Sequence, residues 1–300
     1  MLLWTLLLCS SFLPRGPSSA TSAGSWEVVC SEHGEVLYLP PYRDLALRVA
    51  EVLDREYERV GRGVGYEGKA PVRAFLAPSE EAFDRLTSGR VPDWGKGCAL
   101  PAYGVIVLQP FREGPGDLGT TLAHEVSHVL LHRAVGGKPL PRWFDEGVAM
   151  WYALEWGRAQ SFRLALASLL GRLVPLEEVD EVLSFSSEKA ELAYAESFSA
   201  VVFLLSRYGG DSVRRVTKFM REGDSFPEAL SRTTGLSYDA FLEEWRSYVR
   251  RKYNIVLVLS EGPYLWVGVA LLFILVYMVK RRKAKRMEKE WEEEEGWEID

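Results

Sequence analysis

The chain has 300 residues, enough for one large domain or two small ones, and 47% of them are apolar, so a sizeable core is available. The formal net charge of −6 argues against nucleic acid as a partner, because phosphate binding needs a basic surface. Charge is unevenly placed along the chain, and its two ends show how.

The chain opens on MLLWTLLLCSSFLPRGPSSATSAGS. Leu2 to Leu13 is a short apolar run, Pro14 breaks it, and small residues follow with Ala20 and Ala23 as cleavage positions. This is the layout of a secretory signal peptide over residues 1–23, too short to span a bilayer. SWEVVCSEHGEVLYLP then alternates apolar and polar residues and predicts one or two strands. In YRDLALRVAEVLDREYERVGRGVG, Leu45, Val49, Val52, Leu53 and Tyr57 share one helical face, and Gly61 and Gly63 are expected to stop the helix. APVRAFLAP predicts a strand, SEEAFDRLT a short helix capped by Ser79, and Tyr103 to Phe111 a further strand.

From Thr120 onward the pattern is helical, with helices expected at 120–135, 141–158, 160–172, 188–207, 211–221, 225–232 and 237–252. Pro141 suits a first helical position, and Gly209–Gly210 suit a helix end. No internal repeat is present. The expected fold class is α+β: a small mixed or antiparallel sheet in residues 24–118, packed on a mostly helical part over 119–254.

Near the other end, Tyr264 to Val279 is uninterrupted by charge, and with Pro263 and its flanks it approaches the length of a bilayer core. Tyr264 and Trp266 sit where an aromatic belt would lie, and Lys280 to Arg286 is almost all basic. These features predict a transmembrane helix at 263–280 and a charged cytoplasmic tail at 281–300. The basic run would lie on anionic lipid, and the acidic end would be solvated and disordered. The expectation is a single-pass cell-membrane protein whose main domain is extracytoplasmic and whose carboxyl terminus is cytoplasmic. Outside the leader only Cys30 and Cys98 remain. An oxidising compartment permits a disulfide between them, and two unpaired buried thiols are the alternative.

Three of the four histidines fall in TLAHEVSHVLLH, Thr121 to His132. Positions four apart on a helix differ by about forty degrees of rotation, so His124 and His128 point the same way, one turn apart. Two imidazoles so placed can share one zinc ion. Glu125, about a hundred degrees round, can reach a metal-bound water and take its proton. Leu122, Val126, Val129 and Leu130 make the rest of this helix apolar, so its polar groups need buried partners. A catalytic zinc wants a third protein ligand. PRWFDEGVAMWYA carries Glu146 on a second helix, reached through the Gly136–Gly137 turn, with Gly147 leaving room for close helix approach, and a carboxylate there has either a metal or a basic partner.

His-Glu-x-x-His followed by a helix bearing WFDEGVAMWYA resembles the gluzincin metallopeptidases, most closely the peptidase MA-like group. The resemblance implies a zincin-like fold and one Zn2+ held by His124, His128 and Glu146, with Glu125 as general base. GCALPAYGVIVL is similar to the edge strand on which that superfamily holds extended substrate, and LAYAESFSAVVFLLSRYG to the helix whose tyrosine assists the oxyanion, which implies Tyr194 in that role. Where thermolysin-type sequences carry an outer aspartate, four residues beyond the glutamate, this chain has Met150, and Asp145 is the candidate substitute. His132 is a rival third ligand, although a straight helix carries it too far along. No aminopeptidase segment occurs near Gly97 to Tyr103. The expected function is a membrane-anchored zinc metallopeptidase acting on a peptide or protein substrate. The alternatives are an inactive zincin-like scaffold and a structural zinc site completed by Cys98.

Overall fold

The computed structural model describes residues 25–88, 96–111, 117–254 and 263–297. The leader expected at 1–23 lies outside them.

Strands β1 (Glu27–Cys30) and β2 (Gly34–Tyr38) form a hairpin, and β3 (Val72–Leu76), β4 (Gly97–Leu100) and β5 (Val105–Leu108) complete one five-stranded mixed sheet in the order β1-β2-β3-β5-β4. The inner pairs β2–β3 and β3–β5 are parallel; both edge strands pair antiparallel. Parallel neighbours need crossovers, and helices α1 (Arg43–Val64) and α2 (Glu80–Thr87) supply them. Side chains alternate across the sheet. Val36, Val72, Ala74, Ile106 and Leu108 enter the main core, while Phe75 and Val107 meet Phe83 of α2 on the other face. Helix α1 lies on the sheet and packs against α3 (Asp117–Ala134), which itself touches β4 and β5.

The helical part continues with α4 (Arg142–Ala153), α5 (Arg158–Leu170), α6 (Ser187–Tyr208), α7 (Ser212–Glu222), α8 (Phe226–Thr234) and α9 (Tyr238–Lys252). Helix α4 lies between α3 and α6. Gly147 makes this packing possible, since a Cβ there would stand 2.4 Å from the Ser197 carbonyl oxygen on α6. Trp143, fully buried on α4, donates through Nε1 to the Tyr238 hydroxyl at 3.0 Å and stacks on Phe241.

Several expectations are corrected. Helix α1 runs through Gly61 and Gly63 and ends at Gly65, whose φ of 74° makes the left-handed cap. Burial of Val60 and Val64 outweighs the glycine propensity cost. Helix α4 ends at Ala153, five residues before the expected end, because Leu154 turns left-handed with φ 57°. Cys30 and Cys98 sit on opposite edge strands, roughly 19 Å apart by four strand spacings, which excludes a disulfide between them.

At the carboxyl end, helix α10 (Pro263–Trp297) continues into the acidic stretch expected to be disordered. Its glutamates and lysines are good helix formers. Among the described residues no helix is long and apolar enough to cross a membrane. The side chains of 263–265, where the expected span begins, are not described.

Candidate metal centre

The site is built on α3. Leu122, Val126, Val129 and Leu130 anchor one side of this helix in the core, which leaves His124 and His128 facing α4. The helix stops where Gly136 and Gly137 both take positive φ, and the Gly137 N–H closes onto the His132 carbonyl at 2.9 Å. Only residues without a Cβ adopt that pair of conformations cheaply. The reversal returns the chain as α4 with Glu146 opposite the two imidazoles.

His124 Nε2 and His128 Nε2 lie 3.6 and 3.7 Å from Glu146 Oε2, and the potential ligand atoms of the three residues fall within 4.8 Å of one another. These separations are too long for hydrogen bonds. They are close to the ~3.3 Å edge of a tetrahedron with metal–ligand bonds of about 2.0 Å. Three donors thus converge on one point without bonding one another, and that geometry fits a zinc-sized ion.

The outward nitrogens are held as well. His128 Nδ1 meets Asp145 Oδ1 at 2.8 Å, and His124 Nδ1 meets Glu155 Oε2 at 3.3 Å. Asp145 can accept the Nδ1 hydrogen of His128 and so turn its Nε2 inward, as outer partners of metal-binding histidines do, while Glu155 contacts His124 as an ion pair without hydrogen-bond geometry. Asp145 therefore orients the second histidine, whereas the place left open by Met150 is filled in space by Glu155. No sequence signal pointed to Glu155. It reaches the site because left-handed Leu154 folds the chain back, with the Glu155 N–H bonded to the Met150 carbonyl at 3.1 Å. Asp145 Oδ2 also accepts from His132 Nε2 at 3.0 Å, so His132 braces an outer carboxylate and is not in the cluster. Cys98 is not in it either.

Arg142 stands one turn before Glu146, its Nε 3.3 Å from Glu146 Oε1, so the two carboxylate oxygens are divided between a guanidinium and the imidazoles. The i, i+4 spacing made this pair readable, but it was not singled out. Tyr194, on α6, is half-buried, and besides burial the charges of Glu146, Arg142 and Glu125 act on its hydroxyl. Glu125 is buried on the side facing β4. A Cβ at Gly97 would stand 3.0 Å from Glu125 Oε1, and the carboxylate accepts a hydrogen bond from the Ala99 backbone N–H. Edge strand β4 thus lies directly beside Glu125.

The electrostatics favour a cation. Burial pulls the imidazolium of His128 down, but Asp145 and Glu146 outweigh it and lift the pKa to about 9. Burial likewise opposes charge on His124, and contacts with Glu146 and Glu155 raise it well above the ordinary histidine range. Burial raises Glu146, but His124 and His128 bring it below the usual carboxylate value. Glu125 moves the other way, raised chiefly by burial. Burial also holds Tyr194 protonated far beyond neutral pH. The surrounding carboxylates thus favour positive charge at the two imidazoles, and a divalent ion can supply that charge in place of protons.

A family model described as the peptidase MA superfamily matches residues 62–251. The chain belongs to the peptidase MA superfamily. No curated protein sequence matches it. The matched region runs from late α1 through α9 and contains every residue of the His124, His128 and Glu146 cluster.

Proposed function

We propose that this member of the superfamily is a zinc-dependent peptide hydrolase held at a membrane by its carboxyl-terminal helix. The observation that carries the hydrolytic reading is the convergence of His124, His128 and Glu146, with Glu125 and a sheet edge that no further strand covers among the described residues beside them. Zinc, when bound there, would supply Lewis acidity and a water of lowered pKa. An extended peptide adds to the free edge of β4 through backbone hydrogen bonds, which sets its carbonyl next to the cluster. Glu125 takes the water proton on its carboxylate and hands it to the leaving amine. Its raised pKa suits a group that must first accept and then donate. Tyr194 keeps its proton and offers the hydroxyl to the developing oxyanion. Arg142 holds Glu146 and neutralises part of its charge.

The anchoring part of the proposal is supported by the uncharged run to Val279, the basic residues after it, and the exposed apolar side chains of α10 from Trp266 to Val279. It places the hydrolytic domain on the extracytoplasmic face. Co-sedimentation of the full chain with vesicles, resistant to alkaline extraction, tests the anchor.

The test of the chemistry is peptide turnover by zinc-loaded wild type and Glu125→Gln. The variant should retain zinc and lose ~10²–10⁴-fold in kcat. Equal turnover would overturn the mechanism. Zinc binding without turnover in the wild type would leave the scaffold reading in its place.

A further inference from the structure

We infer that the outer face of α5, with the neighbouring end of α4, rests on an anionic lipid surface; the inference deepens the membrane-anchored reading above and rests on it. Helix α5 is apolar on both sides. Leu164, Ala165 and Ala167 are buried inward. Leu166, Leu169 and Leu170 follow the i, i+3, i+4 spacing of a second stripe and stand 37%, 51% and 54% exposed. The chain leading into α5 adds Trp151 at 39% and Leu154 at 79% exposure. An aqueous helix face would carry charge at these positions.

The position of this face in the fold indicates its partner. Trp156, between α4 and α5, stacks on Phe198 at 4.4 Å and meets Tyr253 edge-on at 6.1 Å. Tyr253 closes α9, against which α5 packs. The apolar stripe therefore stands at the end of the domain from which the chain leaves for α10. Ten residues on from Tyr253, at most about 36 Å away, helix α10 begins at Pro263, and its exposed apolar side chains run from Trp266.

The surrounding charge agrees. The last turn of α9 presents exposed Arg250, Arg251 and Lys252, and exposed Arg158 and Arg172 mark the two ends of α5. An apolar helical stripe bordered by long basic side chains is the composition of a helix lying in a headgroup region, with its stripe among acyl chains and its cations on phosphates. A lipid surface fits both the stripe and the basic border. The placement also brings Leu154, the neighbour of Glu155, to the lipid surface, so the substrates it favours are peptide segments lying close to a bilayer.

The experiment uses the full chain, with its cysteines replaced by serine, reconstituted with vesicles of phosphatidylcholine and phosphatidylserine. Spin labels are placed at Leu169→Cys and, as reference, at exposed Lys218→Cys on α7, a helix packed on α1, α3, α6 and α8. The expected result is loss of broadening by a water-soluble paramagnetic reagent at position 169, with full broadening kept at 218. The effect should weaken in vesicles of phosphatidylcholine alone. A vesicle-bound chain whose 169 label stays open to the reagent overturns the docking face and leaves the anchor standing. A chain that does not bind vesicles overturns both. Label-to-label coupling at 169 in lipid-free solution would assign the face to a second copy of the chain and overturn it as well.

Discussion

Glu146 and Glu196 are buried carboxylates on two packed helices, α4 and α6, and the protein treats them in opposite ways. Both feel burial, which disfavours charge. Around Glu146 stand His124, His128 and Arg142, and its carboxylate stays ionised. Around Glu196 the main opposing group is the Val174 N–H, donating to Oε1 at 3.0 Å, with Arg246 contributing weakly, and the pKa is pushed up to about 8. The difference shows that burial alone yields a neutral acid; charge is kept where cations converge. Glu196 pins the segment entering the 3₁₀ stretch Leu176–Ser184 to α6, a structural duty.

The largest effect should come from removing the charged member of this contrast. Glu146→Ala should lose zinc entirely by elemental analysis, beyond the ~100-fold upper range for an outer partner. Retention of stoichiometric zinc would break the contrast. Tyr194→Phe should keep zinc and lower kcat by about 10²-fold with KM nearly unchanged, as expected for a lost oxyanion donor. A proportional change in KM would indicate a packing role. Glu155→Gln should weaken zinc by about 10-fold in a chelator competition, because the glutamine holds His124 less firmly. The metal-free melting temperature should stay unchanged, and a fall there would show that Glu155 serves the fold.

The smallest effect belongs to Glu196→Gln, which should leave zinc binding alone. Its signature is pH-dependent stability. A folded-state pKa raised from 4.5 to about 8 gives stability fully present below pH 4.5 and lost as pH rises through about 8. Wild type should therefore lose melting temperature relative to the glutamine variant between pH 5 and 8.5. Parallel pH profiles would mean that Glu196 is ionised in the fold.

Much of the fold was legible because it is written locally. The alternation in GEVLY and VRAFL placed β2 and β3, and helical periodicity placed α1 and α3 to within a few residues. Helix α4 was read too long, since nothing in EWGR forbids continuation, and a leucine is a poor signal for a left-handed turn. That misreading hid Glu155. The 3₁₀ stretch was missed for a related reason: its hydrogen bonds follow from packing against α6 and α4, while its composition is ordinary for a helix. Glu146 was legible only through family resemblance, because its distance from His124 along the chain says nothing about its distance in space.

Sequence alone determined the pairing of His124 with His128 and the placing of Glu125 beside them, because helix geometry fixes neighbours one turn apart. The helical character of the chain from Thr120 to Lys252 was legible as well. Only tertiary structure decided that Glu146 faces both imidazoles and that Asp145 and Glu155 hold one histidine each. The same is true of β4 lying at the sheet edge against Glu125. Those contacts join separate elements, and their positions depend on Gly147 admitting α6, on the glycine pair reversing the chain, and on a left-handed leucine that local propensity would not choose.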